Sequence, residues 1–304
     1  MILAVCKDKG PGGVTTAATA LGVMWPGDRV LLEADSSGGD LALRLRSPEG
    51  GELATDRSVV SLAADAREAL PAGALARYAQ PTSLGFPVLV APLSAEGFEP
   101  MGRLWPQVAA AARAWPGTVI ADVGRLQLRH ASSPLAGSAT AVVLVTRAQT
   151  REDLYHVRER ASELAARLGQ GTHGRSPLTV AVVCQSRDSR SALSQVQQAL
   201  ASQAATSTVP VIGSLAEDSR AVDGLRAGEL TKRLLGSDLL KSAKALADTL
   251  TDWFPELIGM PARPVVPAAR HGYEQPHPAG PPAPGESYHA RWGTAASLDA
   301  GGAV

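Results

Sequence analysis

The run Ile2-Leu3-Ala4-Val5-Cys6, followed by Lys7-Asp8-Lys9-Gly10-Pro11-Gly12-Gly13-Val14-Thr15-Thr16, decides how the rest of the chain is read. Consecutive apolar residues bounded by a Gly/Pro cluster describe a buried strand and the loop that ends it. Ala17, Ala18, Ala20, Leu21, Val23 and Met24 then describe a helix, which Pro26-Gly27 stops. The amide N–H groups of the loop therefore converge on a helix N-terminus, a place that favours an anion and most often a phosphate. In the pattern G-x-x-x-x-G-K-[ST], glycines let the backbone approach the phosphates, the lysine reaches the terminal ones and the hydroxyl holds Mg²⁺. This loop has the glycines and, at Thr15, the hydroxyl, but Val14 stands where that pattern has lysine. The other reading of the same residues is a Gly/Pro turn that binds nothing.

Further apolar runs follow at intervals, and several deliver a carboxylate. Arg29-Val30-Leu31-Leu32-Glu33-Ala34 empties into Asp35-Ser36-Ser37-Gly38-Gly39-Asp40, with a short helix from Leu41 to Leu45 beyond it. Asp35 either serves a ligand or caps that helix, and the two roles are compatible. Val59, Leu62, Ala63, Ala66 and Leu70 share one helical face, Phe86 to Ala91 reads as a short edge-compatible strand, and Gly97 to Trp115 as a helix interrupted near Pro106. Thr118-Val119-Ile120-Ala121-Asp122-Val123-Gly124 is another buried strand ending in an acid and a glycine. Ala141 to Thr146 and Leu178 to Val183 are each followed by a helix, Thr150 to Leu168 and Ser189 to Ala201. Strands that alternate with helices of this length imply an α/β fold: one doubly wound domain, its sheet mostly parallel and covered by helices on both faces.

Four stretches, in order, resemble the ParA/MinD ATPase family, whose phosphate loop deviates to K-G-G-x-G-K-[ST]-[ST]. Lys9 matches the family's first lysine, Gly10, Gly12 and Gly13 its glycine-rich part, and Thr15-Thr16 its hydroxyl pair, while Val14 replaces the second lysine. Glu33-Ala34-Asp35 and Gly38 resemble the D-x-D-P-x-G-N switch, and Asp122 resembles the second switch aspartate, with Val123-Gly124-Arg125 in place of D-T-P-P. Val209-Pro210-Val211-Ile212-Gly213-Ser214-Leu215-Ala216-Glu217-Asp218 is similar to the family's last strand and the loop after it. The resemblance implies a phosphate-loop NTPase fold over residues 1–260, ATP or ADP with Mg²⁺ as ligands, and a nucleotide-sandwiched homodimer. By the same resemblance Thr15, Asp122 and Asp35 would hold Mg²⁺, Asp35 would orient the attacking water and Lys9 would reach the phosphates. The backbone from Leu215 to Asp218 would lie beside the adenine, and Gln185 occupies the place of a base-reading asparagine. Arg125 and Arg129 are candidate compensators of phosphate charge.

The implied function is a nucleotide-binding switch that dimerises and positions a partner in the cell, with weak or absent ATP hydrolysis. Its alternative is a pseudo-ATPase scaffold, as in the degenerate TadZ-like members, for a pilus, secretion or division machine. Losing the second lysine removes a charge-assisted hydrogen bond, of order 1.5–3 kcal/mol, so weakened triphosphate binding is the minimum consequence.

Composition narrows the remaining classes. The 304 residues are 45% hydrophobic and 19% charged with a formal net charge of zero, and no Lys/Arg run forms a nucleic-acid or anionic-membrane patch. Nonspecific DNA binding therefore gains no support, and the partner to be positioned is a protein the sequence does not identify. No apolar stretch approaches the roughly 18 residues of a membrane span, which leads us to expect a cytoplasmic protein. The last amphipathic helix, Leu239 to Phe254, carries acids beside Lys241 and Lys244 on its polar face, which fits packing on a sheet better than docking on a membrane. Cys6 and Cys184 read as buried thiols rather than a disulfide.

From residue 261 to 304 Pro, Gly, Ala and His accumulate without periodicity, the composition of a disordered tail. Such a segment cannot bury enough apolar surface to offset the entropy of ordering it. Deleting residues 262–304 is expected to leave the thermal midpoint almost unchanged in calorimetry, and a fall of more than several degrees would refute the assignment.

Overall fold

The computed structural model describes residues 1–7, 13–66, 73–126, 132–169 and 177–259. They build a three-layer α/β sandwich around one eight-stranded sheet. In chain order the strands are β1 (Ile2–Lys7), β2 (Arg29–Glu33), β3 (Gln80–Pro81), β4 (Pro87–Leu89), β5 (Thr118–Arg125), β6 (Ala141–Thr146), β7 (Leu178–Cys184) and β8 (Val211–Ala216). Their spatial order is β3-β4-β2-β5-β1-β6-β7-β8, every pairing parallel except β3 with β4. The chain leaves β1 toward one side of the sheet and β6 toward the other, so the crevice at the carboxyl ends of these adjacent strands is a topological switch point.

The helices are α1 (Val14–Met24), α2 (Leu41–Arg44), α3 (Val59–Asp65), α4 (Ala74–Tyr78), α5 (Trp105–Ala114), α6 (Ser133–Gly137), α7 (Arg151–Leu168), α8 (Ser189–Ala201), α9 (Ser219–Arg226), α10 (Lys232–Leu235) and α11 (Asp238–Trp253). Alternation along the strands divides the core. Leu3 and Val5 of β1 face the layer made by α1, α2, α9, α10 and α11, whereas Ile2, Ala4 and Cys6 face that of α3 to α8. Each fully buried aliphatic side chain of these layers contributes about 1.5–3 kcal/mol by leaving water. Helix α11 lays Leu239, Leu240, Ala243, Leu246, Ala247 and Leu250 into the first layer, so its apolar stripe is spent on the core. Among the described residues no helix is long and apolar enough to cross a membrane.

The sequence boundaries need three changes. Pro106 does not interrupt a helix but opens one: residues 96–104 form a 3-10 turn, and α5 starts at Trp105 with proline in its first turn, where no backbone N–H is required. Strand β4 is not the sheet's edge, because β3, invisible to apolar patterning at two residues, pairs outside it. Helix α2 ends at Arg44. Leu70, Arg129 and residues 260–304 lie outside the described residues. Both cysteines are free thiols in buried positions, and burial pushes the Cys6 thiol up to about 12, which leaves it unreactive.

One buried hydrogen-bond relay ties distant parts of the chain together. The Trp25 indole N–H donates to Thr118 Oγ1 at 2.9 Å, and the Thr118 hydroxyl donates to the Leu257 carbonyl. This joins the end of α1, the start of β5 and the turn after α11. Thr118→Val keeps the shape but leaves a buried donor and a buried acceptor unsatisfied. Urea denaturation is expected to show a loss of about 2–4 kcal/mol.

Candidate functional site

Residues from both ends of the first strand-helix connection meet at the switch point. A cavity of about 640 Å³ is lined by Lys7 at the end of β1, Gly13 to Ala17 at the start of α1, and Asp35 after β2, and its far wall is Leu215 to Ser219 between β8 and α9. Gly13 has φ 66°, a left-handed conformation that only glycine adopts without strain, and its carbonyl accepts the first helical bond, from Ala17 N at 2.8 Å. Among the described residues no side chain caps this end of α1, and the first-turn N–H groups of a helix have no partner within it. Lys9, Gly10 and Gly12 lie outside the described residues.

Three carboxyl groups crowd the strand ends. Glu33 and Asp122 are register partners on β2 and β5, and both are buried. Glu33 is a structural clamp: Oε1 accepts from Asp40 N at 2.9 Å and Leu41 N at 3.0 Å, and Oε2 from Ala91 N at 2.9 Å. It thereby fixes the start of α2 and the end of β4 to β2, and it rests on Gly39, where any Cβ would overlap it. Desolvation raises its pKa to about 7, against the pull of those three donors.

Asp122 is 0% exposed. Its Oδ1 accepts from Gly124 N at 3.1 Å. The Thr15 hydroxyl is near enough to favour the charged carboxylate but makes no hydrogen bond of normal geometry with it, and among the described residues Oδ2 is buried without a partner. Burial raises the Asp122 pKa to about 6, and the neighbouring Asp35 adds to the rise. Asp35 accepts from Ser37 N at 2.9 Å and lies over Gly124, where φ is 62° and a Cβ would overlap the Asp35 carboxylate. A bulge at Val123 shifts the β1–β5 register, taking the partner of Cys6 from the next residue to Gly124. Gly124 therefore supplies both the left-handed turn and the room for Asp35.

The donor set is one hydroxyl and two carboxylates, and among the described residues no group of three or more His, Cys, Asp or Glu could hold a metal by itself. A buried, unpartnered carboxylate oxygen beside other hard oxygens fits Mg²⁺, which keeps several waters and takes further ligands from phosphate.

On the far wall, Leu215 and Ala216 end β8, and Asp218 caps α9 by accepting from Ala221 N at 3.0 Å. Val183, Val222 and Leu239 add apolar surface to this side, beside the charged Arg147, Glu217, Asp223 and Arg226. Gln185 is not among the lining residues; it sits in an adjoining recess with Ala148, Gln149, Cys184 and Asp188. Val14 lines the cavity but is only 3% exposed, its side chain belonging to the core layer of α1. Sequence reading missed the cations Lys7, Arg44, Arg147 and Arg226. For Lys7 the signal was present, because positions 3, 5 and 7 of one strand point to the same face. For Arg147, which pairs with Glu217, no local pattern exists.

No protein-family model and no curated protein matches this chain. Solved structures do match. The ParA family ATPase of Chlorobium tepidum TLS is 15% identical with a TM-score of 0.63, the match covering 81% of this chain and 98% of that one. The septum site-determining protein MinD of Pyrococcus horikoshii OT3, complexed with Mg-ADP, is 18% identical with a TM-score of 0.57, covering 85% and 99%. Cobyrinic acid a,c-diamide synthase of Mycobacterium smegmatis, with bound ADP and magnesium, is 17% identical with a TM-score of 0.54, covering 86% and 98%.

Glu33 and Asp122 have ordinary values of 4.5 and 3.8, so both hold their protons more tightly folded than unfolded. Their contribution to stability is complete below about pH 4 and is lost as pH rises through 6 to 7. Glu33→Gln turns an amide N–H₂ toward a backbone donor, so it should lower stability by about 1–3 kcal/mol and flatten part of that decline in denaturant melts between pH 4.5 and 7.5. By its sheet order and its match to these solved structures, the described chain has the α/β fold of the ParA and MinD ATPases.

Proposed function

We propose that the chain is a ParA/MinD-like nucleotide-binding switch, which binds ATP or ADP with Mg²⁺, dimerises and positions a protein partner, hydrolysing ATP slowly or not at all. The observation that carries this reading is Asp122 Oδ2, buried behind the cavity with no hydrogen-bond partner among the described residues and close to Thr15 and Asp35, which do line the cavity where α1 begins. Thr15 and Asp122 would hold Mg²⁺, with Asp35 as a further or water-mediated ligand; the ion would offset phosphate charge. Gly10, Gly12, Gly13, Val14, Thr15 and Thr16 would cradle the phosphates through their backbone N–H groups. The base would lie against Leu215 and Asp218, with Gln185 outside its immediate wall. Lys9 would meet phosphate across the dimer, and residues 261–304 would be a tail separate from the domain.

A specific observation also favours the pseudo-ATPase reading. Val14 is packed into the core where the family resemblance would have a cation, so the site is short of positive charge at the position that stabilises the triphosphate. The fold is shared by enzymes of different chemistry, and it does not choose between the two readings.

Titration of the purified chain with Mg²⁺-ATP and with ATP in EDTA, read by calorimetry, tests the site. Asp122→Asn is expected to cut the Mg²⁺-dependent part of the affinity at least about tenfold, the value of one charged contact. Turnover is expected well below about 10 per second. Light scattering should show a dimer with ATP that Lys9→Ala abolishes. If ATP neither binds nor changes the oligomeric state, the scaffold reading stands alone.

A further inference from the structure

We infer that Lys7 replaces the missing loop lysine, reaching the terminal phosphates of a nucleoside triphosphate from the end of β1 instead of from the start of α1. The inference rests on the nucleotide-binding reading and assigns a specific residue to it. Lys7 is the last residue of β1, hydrogen-bonded into the sheet between Arg125 of β5 and Val145 of β6. Parity with Leu3 and Val5 sends its side chain to the α1 face, and it lines the same cavity wall as Gly13 to Ala17. Strand end and helix start thus bracket one loop and face one space, so a cation moved from position 14 to position 7 still enters the cavity from the phosphate side.

Charge accounting singles out Lys7 from the other cations of the cavity. Arg44 is paired with Asp40, and Arg147 with Glu217. Arg226 forms no ion pair among the described residues but is exposed at the end of α9. Lys7 is partly buried, forms no ion pair among the described residues, and lies close enough to Asp122 to favour its charged form. A lysine carries a compact charge on a flexible stem with three donors, which suits contact with phosphate oxygens at no fixed angle. Partial burial reduces solvent screening, so the same charge acts more strongly there than on the surface.

The competing role for Lys7 is to offset Asp122 and Asp35 without touching a ligand. Comparing ATP, ADP and AMP, each with Mg²⁺, separates the two, because only a contact with terminal phosphates depends on how many are present. Lys7→Met keeps the stem and removes the charge. It is expected to weaken ATP by about tenfold to a hundredfold and AMP by less than about threefold, and Lys7→Arg should retain most of the ATP affinity. In the Lys7→Met background, Val14→Lys should restore ATP binding. Thermal melts establish that each variant is folded. Equal losses for all three nucleotides, or no loss for ATP, overturn the assignment of Lys7 while leaving the nucleotide site standing. Absence of binding of any nucleotide by the unmodified chain overturns both.

Discussion

A carboxylate oxygen buried without a partner dominates this structure. Asp122 Oδ2 is cut off from water by β1, β2 and α1, and an unpaired polar atom in such a place costs several kcal/mol unless something else enters. Its neighbours are arranged around that deficit. Gly124 bonds the other oxygen and makes room for Asp35, the Thr15 hydroxyl lies close enough to favour the charged form, and Lys7 lends positive charge from the adjacent strand. Glu33, one strand away, has solved the same problem differently. Three backbone N–H groups satisfy it, and it serves the fold rather than a ligand. Two acids side by side in register therefore differ in whether backbone donors already surround them.

This contrast explains what was legible in the residues. The strand ends were visible because a continuous apolar run closing on an acid and a glycine has few other readings, and Ile2–Lys7, Arg29–Glu33 and Thr118–Arg125 follow it closely. Helices α7, α8 and α11 were visible from their apolar period, whereas α10, at four residues, carries none, and the caps emerge only in the structure. Thr150 closes a capping box with Asp153, and Asp218, Thr231 and Ser237 each accept from the first turn of their helix. Strand β3 was not, since two residues carry no period. The duties of Glu33 and Asp35 were not separable either, because the donors that distinguish them come from Ala91, fifty-eight positions away, and from a turn whose geometry depends on Gly38 and Gly39.

Val14 shows how a residue at the rim of a cavity can belong to the core. In an exposed loop its replacement of a charged residue would be neutral to folding. At the first turn of α1 it joins Ala17, Ala18 and Leu21 in the layer between helix and sheet, so the apolar side chain strengthens the scaffold. A lysine placed there would exchange this buried apolar contact for a charge at the cavity rim, so under the proposed reading stability and ligand affinity would be opposed at this position.

The outer edge of the sheet also limits how the protein can associate. Strand β3 is two residues long, Pro81 faces Pro87 across the antiparallel pair, and the Gln80 side chain holds the Ala54 backbone through both its amide atoms at 2.8 Å. A proline offers no donor to an incoming chain, and a two-residue template supplies too few bonds to seat one. Growth of the sheet by edge-to-edge joining is thereby blocked on this side. Any assembly built from this chain must be made through helices, loops or the other margin of the sheet.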